Sequence, residues 1–163
     1  MALEAGVNDE YIEYVVNTYS DMVFRLALNQ TKNKSDAEDV FQEVFLRLVK
    51  NKPDFESEEH EKAWILRVTI NCSKKLTSSS WLKRFAPLDE DIKFEDKEQS
   101  YVYYEVKKLP LKYRQIIYLF YYEDLSIKQI SKVLSLKEGT IKSQLSRGRE
   151  MLKSVMKEGF GDE

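Results

Sequence analysis

The sequence predicts an all-α protein made of two small helical domains joined by a flexible acidic linker. Three observations carry this. Apolar residues recur at helical spacing through most of the chain. Glycine and proline are scarce, 5 and 3 in 163 residues, so little interrupts those helices. One stretch, Phe85 to Gln99, loses the periodicity, carries Pro87, and holds Asp89, Glu90, Asp91, Glu95, Asp96 and Glu98, which reads as a linker.

The elements follow in order. From Glu10 to Gln30, Tyr11, Val15, Tyr19, Met22, Val23, Leu26 and Gln30 keep close to a 3.6-residue repeat, which predicts a long amphipathic packing helix. After a polar break at Thr31 to Ser35, Ser35 and Glu38 give an S-x-x-E start signal for a second helix. Its apolar face is Val40, Phe41, Val44, Phe45 and Leu48, with Asp36, Asp39, Gln42, Glu43 and Arg47 largely outside it. Pro53 and the cluster Glu56 to Glu61 predict a loop. A third helix follows from Glu61, with Ile65, Val68 and Cys72 on one face and Trp64, Arg67, Asn71, Lys74 and Lys75 on others. Thr77 to Ser80 reads as a short polar loop with a basic end at Lys83 and Arg84. Beyond the linker, helical spacing returns from Ser100. Pro110 marks a fresh start, with Tyr113, Ile116, Ile117 and Phe120 as the buried face, and Gly159 and Gly161 suggest a frayed tail.

Leu125 to Leu152 reads as two helices joined by a tight turn. Ser126 and Gln129 fit a capping box, and Ile127, Ile130, Val133 and Leu134 form the first helix's stripe. Ser135 and Glu138 give a second start signal. At about 100° per residue, Ile141, Leu145, Gly148 and Leu152 line one side of the second helix, and Gly139, Thr140, Ser143, Ser146 and Arg147 the other. Small and hydroxyl side chains let a helix sit deep in a major groove, where Arg147 can reach guanine edges or a phosphate, with Lys142 and Arg149 flanking. The alternative is an amphipathic hairpin with a solvated basic face.

Charge distribution says more than the net charge of −2. Six basic and no acidic residues lie between Lys62 and Arg84, and eight basic against two acidic between Leu125 and Lys157. The acidic stretch separates them, so two surfaces suit a polyanion. Basic residues beside Trp64 and Asn71 suit single-stranded nucleic acid, although a tryptophan is more often core. Cys72 and His60 are the only residues of their kinds, which disfavours disulfides, a zinc site and a Cys–His pair. Neither a Gly-rich phosphate loop, a nucleophile with its base, nor a metal set is visible, so neither enzyme activity nor a cofactor is expected. No run approaches the roughly 18 apolar residues of a membrane span, and no export signal opens the chain, so a cytoplasmic location is expected.

The order of these features resembles a bacterial sigma factor of the extracytoplasmic-function (ECF) group. The likeness spans roughly Asp9 to Lys157 and rests on DAEDVFQEVFLRL, WILRVTINCSKKL and the segment from LPLKYRQ to GREML. It implies three parts: residues 9–84 for core polymerase docking and −10 recognition and melting, 85–99 as linker, and 100–158 for −35 recognition. Asp39, Gln42, Glu43 and Phe45 would dock on the clamp helices of the large RNA polymerase subunit, whose flap would also be met. Trp64, Arg67, Asn71, Lys74, Lys75, Ser78 and Ser79 would hold the −10 strand. On the −35 helix Thr140, Ser143 and Arg147 would lie nearest the bases and Lys128, Lys142 and Arg149 near phosphates, with Lys137, Glu138, Gly139 and Ser146 on the same DNA-binding surface. Promoter DNA, core RNA polymerase and an anti-sigma factor are the implied partners. Gly148 departs from the family's alanine and should loosen its helix by up to about 1 kcal/mol. An ordinary helix-turn-helix regulator, or a helical adaptor acting as an anti-sigma decoy, remain as alternatives.

Overall fold

The computed structural model describes the backbone at residues 2–31, 33–51, 53–79 and 104–160, and the side chains there except at 2–8, 77–79 and 158–160. Every regular element among the described residues is helical. The chain divides into two compact units, Met1–Asp89 and Glu90–Glu163. The expected linker, and with it Ser80, Trp81, Lys83 and Arg84, lies outside the described residues.

The first unit is a three-helix bundle of α1 (Ala2–Gln30), α2 (Lys34–Asn51) and α3 (Glu58–Ser79), each packed on the other two. Val15, Val23 and Leu26 of α1 meet Val40, Val44 and Leu48 of α2 and Ile65, Leu66 and Ile70 of α3 in a sealed interior. Burying one such side chain contributes about 1.5–3 kcal/mol, so this cluster fixes which faces of α2 and α3 look outward. The expected face Ile65–Val68–Cys72 is shifted: Val68 is half-buried, while Leu66, Thr69, Ile70 and Ser73 are buried. α3 packs on both other helices, so it buries a wider arc than a single stripe.

The start of α2 and both ends of α3 differ from expectation. Asn33, not Ser35, opens α2: its Oδ1 accepts the Asp36 backbone N–H at 2.8 Å, and its Nδ2 donates to the Asp36 carboxylate at 3.2 Å. The residue pair at cap and third position is therefore Asn33 and Asp36. α3 begins earlier than Glu61 because Ser57 caps it, its Oγ accepting the His60 N–H at 3.1 Å. Glu58, Glu59 and Glu61 then sit in the first turn, where the helix dipole favours acids. At the other end Thr77 to Ser79 continue the helix instead of forming a loop; neither glycine nor proline stands there to stop it. α1 likewise extends forward to Ala2.

One polar cluster lies inside this unit. Glu61 is 7% exposed, and its carboxylate accepts hydrogen bonds from the hydroxyls of Tyr19 at 2.7 Å, and Tyr11 and Tyr14 at 3.3 Å. Burial and the adjacent carboxylate push the Tyr11 hydroxyl up to about 12, and Tyr19 higher still. Three donors satisfy a buried anion that would otherwise cost several kcal/mol to hold there.

The second unit comprises a helical turn at 104–107, α4 (Leu111–Ile117) running into a π turn at Tyr118–Tyr122, α5 (Ile127–Leu134) and α6 (Glu138–Phe160). Ile116, Ile117, Leu119, Leu125, Ile130, Val133, Ile141 and Leu145 form its core. Phe120, expected inside, is half-buried, and Tyr118 and Leu119 are buried instead. The π turn explains this: it carries the Glu123 N–H back to the Tyr118 carbonyl at 3.3 Å, adding one residue to the turn and rotating the residues after Ile117 off the α register. Gly159 does not fray the end, since α6 runs through it to Phe160.

Candidate nucleic-acid interface

In the second unit the connection between α5 and α6 is held by local hydrogen bonds at both ends of α5. Ser126 caps it, its Oγ accepting the Gln129 N–H at 3.1 Å while Gln129 Oε1 accepts the Ser126 N–H at 2.8 Å. That is the expected capping box. Ser135, expected to start α6, instead ends α5: it sits in the left-handed region at φ 55°, and the Leu136 N–H returns to the Ser131 carbonyl at 3.1 Å. The Ser131 hydroxyl donates to the Leu136 carbonyl. An S-x-x-E pattern does not distinguish a helix start from a left-handed stop, because serine satisfies backbone groups in either setting.

α6 presents the expected two sides. Ile141, Leu145 and Gly148 are buried; Gly139, Ser143, Ser146 and Arg147 are exposed, with Thr140 half-buried. Gly139, Thr140, Ser143, Gln144 and Arg147 line a cleft of about 400 Å³ whose other wall is Lys112 and Tyr113 of α4. The Arg147 guanidinium beside the Tyr113 hydroxyl holds that phenol below its usual pKa. Lys128, Lys137 and Lys142 are exposed, as is Glu138 in the first turn. Arg149 takes a different direction: its Nε donates to the Tyr121 hydroxyl at 2.6 Å, and its guanidinium lies 5.3 Å from the Phe120 ring. The structure therefore groups Thr140, Ser143 and Arg147, and sets Arg149 on the flank beside the π turn.

In the first unit α3 is one unbroken helix through Trp64 and Lys75. At about 100° per residue its Trp64, Arg67, Asn71, Lys74 and Lys75 fall within one outward sector. Arg67, Asn71, Lys74 and Lys75 are exposed, and Trp64 is half-buried against Phe55 with ring centroids 5.7 Å apart. Ser78 and Ser79 extend the same helix. Thr69 and Ser73 turn their hydroxyls to carbonyls one turn back, at 2.7 and 2.8 Å, so neither is on this surface.

α2 exposes Asp39, Gln42 and Glu43, with Phe45 half-buried beside them. Leu46, which the sequence reading passed over, stands among them at 63% exposure. Its signal was its position outside the Val40–Val44–Leu48 stripe. Glu43 accepts from Arg47 Nε at 3.0 Å, and this bond raises the arginine's pKa further. Asp39, Glu43 and Arg47 share a cleft of about 390 Å³ with Cys72 and Lys75 of α3, and burial pushes the Cys72 thiol up. The second omission was Lys112 and Tyr113; nothing in their own spacing marks them, because their place beside α6 is tertiary.

Among the described residues no cluster of His, Cys, Asp or Glu suits a metal ion, and no helix is long and apolar enough to cross a membrane. A capped helix-turn-helix in one unit and a basic, amide-bearing helix face in the other are the features of a two-module nucleic-acid-binding protein.

Comparison with known proteins narrows that class. The family description "Sigma-70 region 2" matches residues 15–83, and "Sigma-70, region 4" matches residues 100–152. The ECF RNA polymerase sigma factor SigW of Bacillus subtilis is 27% identical over 96% of this chain and 94% of its own length. SigM of the same organism is 29% identical over 93% of this chain and 99% of its own. Two solved structures share the fold: the sigma factor RpoE in complex with the anti-sigma factor NepR from Bartonella quintana, and CnrH in complex with the cytosolic domain of CnrY. Their TM-scores are 0.73 and 0.69 at 18% and 21% identity, covering 89% and 95% of this chain and 96% and 93% of theirs. The chain belongs to the sigma-70 family, as an ECF sigma factor. Sigma factors are non-enzymatic regulators of transcription.

Proposed function

We propose that this ECF sigma factor divides initiation among three helix faces. α2 docks core RNA polymerase through Asp39, Gln42, Glu43 and Phe45, with Leu46 at the centre of the contact. α3 holds the −10 strand through Trp64, Arg67, Asn71, Lys74, Lys75, Ser78 and Ser79. α6 enters the −35 major groove through Gly139, Thr140, Ser143, Ser146 and Arg147, with Lys128, Lys137, Lys142 and Arg149 toward phosphates and Glu138 at its leading turn. Residues 9–84 and 100–158 carry these two halves, and 85–99 tether them.

The observation that carries this reading is the exposure of one acidic, leucine-bearing face on α2 and one basic face on α3, in a unit matching sigma-70 region 2. An exposed leucine ringed by Asp39, Gln42 and Glu43 has the makeup of a protein contact, an apolar anchor within a polar rim. Two weak DNA contacts on one chain reinforce each other because the second becomes intramolecular. Control by an anti-sigma factor is supported by the likeness to RpoE, which was solved in complex with the anti-sigma factor NepR. A cytoplasmic location follows from the company of RNA polymerase.

Run-off transcription with purified core polymerase on genomic fragments tests the whole. The expected result is a small set of new start sites with shared −35 and −10 sequences. Unchanged start sites would sink it.

A further inference from the structure

Arg147 is an exposed side chain on the outer face of α6, and an arginine loses rotamer entropy when it is fixed on a base. Its surroundings reduce that loss. Tyr113, from an element more than thirty residues upstream, is 7% exposed, lines the same cleft as Arg147, and has its hydroxyl pKa lowered by the neighbouring guanidinium. Two neighbours flank the Tyr113 side chain. Lys112 Nζ lies 5.0 Å from its centroid. Gly148 leaves the space on the other: a β-carbon there would stand 3.4 Å from Tyr113 Cβ and 3.0 Å from Ile117 Cδ1. Arg147 and Tyr113 line one cleft with Thr140, Ser143 and Gln144, and Gln144 Oε1 is buried there without a hydrogen-bond partner.

We infer that Tyr113 is a positioning residue for Arg147, so that α4 takes part in the sequence preference of α6. Across the shared cleft the phenol oxygen offers an acceptor to one of the five guanidinium N–H groups and leaves the others for a guanine edge. A phenol whose ring is packed and whose hydroxyl faces the cleft presets the arginine before DNA arrives, which lowers the ordering cost of binding and narrows the bases it can serve. Gly148 belongs to the same device. The missing methyl lets α6 cross α4 closely enough for the phenol to reach the guanidinium. The inference rests on the reading of α6 as the −35 helix.

The test uses the full chain in holoenzyme with core polymerase, on a promoter the protein itself selects and its single-base substitutions across the −35 element. Tyr113→Phe keeps the ring and removes the oxygen. Discrimination at the one base that depends on Arg147 is expected to shrink about threefold to tenfold, with discrimination at the other positions and the salt dependence unchanged. In an Arg147→Ala background, Tyr113→Phe should change nothing further. If Arg147→Ala loses discrimination while Tyr113→Phe keeps it, this inference falls and the −35 reading stands. If Tyr113→Phe weakens every promoter equally and lowers unfolding stability, the tyrosine is merely structural and the inference falls. If Arg147→Ala itself keeps parental discrimination, the −35 reading falls and takes this one with it.

Discussion

In the first unit three phenol hydroxyls converge on the buried carboxylate of Glu61, whereas in the second the Tyr121 hydroxyl accepts from Arg149 and Tyr113 shares a cleft with Arg147, whose charge lowers the pKa of its phenol. The same side chain donates in one place and accepts in the other. The difference follows where each charge sits. Glu61 is sealed between α1 and α3, so its hydrogen bonds hold the bundle together, while the two arginines reach outward from α6 and keep donors for a partner. Polar groups inside the first unit therefore report on folding, and those on the second report on binding.

The largest expected effect breaks the inner cluster. Glu61→Ala leaves three hydroxyls without their acceptor and should cost about 3 kcal/mol, measured by urea unfolding. A loss below about 1 kcal/mol would mean the tyrosines find water as easily as they found the carboxylate. Next, Asp39→Lys with Glu43→Lys should weaken core polymerase binding by about 2–3 kcal/mol and leave −35 duplex binding as it was. Normal holoenzyme assembly by that variant would remove α2 from the docking role.

Much of this was legible in the sequence, and the omissions share a cause. The all-helical class, the α2 core stripe and the Ser126–Gln129 cap rest on residues within four positions of one another, where spacing is geometry. Ser35 and Ser135 were misjudged as helix starts because a serine's hydroxyl satisfies several local arrangements, and only the left-handed backbone at Ser135 and the competing Asn33 decide between them. Phe120 was placed inside because a π turn leaves no periodic mark. Glu61 with its tyrosines, 42 to 50 residues apart, and Tyr113 with Arg147 are pairings that only the packed helices create.

Two smaller measurements sharpen the contrast. At the α4–α6 crossing, Gly148→Ala gains helix propensity but drives a methyl against Ile117 Cδ1, and Ile117→Val removes that atom. The two substitutions should couple by about 0.5–1 kcal/mol; strict additivity in a double-mutant cycle would show that the helices already part freely. The pH dependence is expected to differ in sign. Tyr11 is raised from 10.0 to about 12, so its contribution is complete below pH 10 and is lost as pH climbs through about 12. Tyr113 is lowered by Arg147, so its contribution is present above its ordinary pKa and is lost as pH falls through the depressed one; burial shifts Tyr122 the opposite way. Ultraviolet titration should show Tyr113→Phe removing an early-ionising phenol and Tyr11→Phe a late one. The reverse order would contradict both environments.

The widened turn at Tyr118–Tyr122 accommodates one residue more than an α-helix would over the same rise. Deleting a single residue there should let the segment relax into ordinary winding, swing Phe120 inward and carry Tyr121 away from Arg149. A change of length by one amino acid in that turn would thus redirect a cation on the flank of α6.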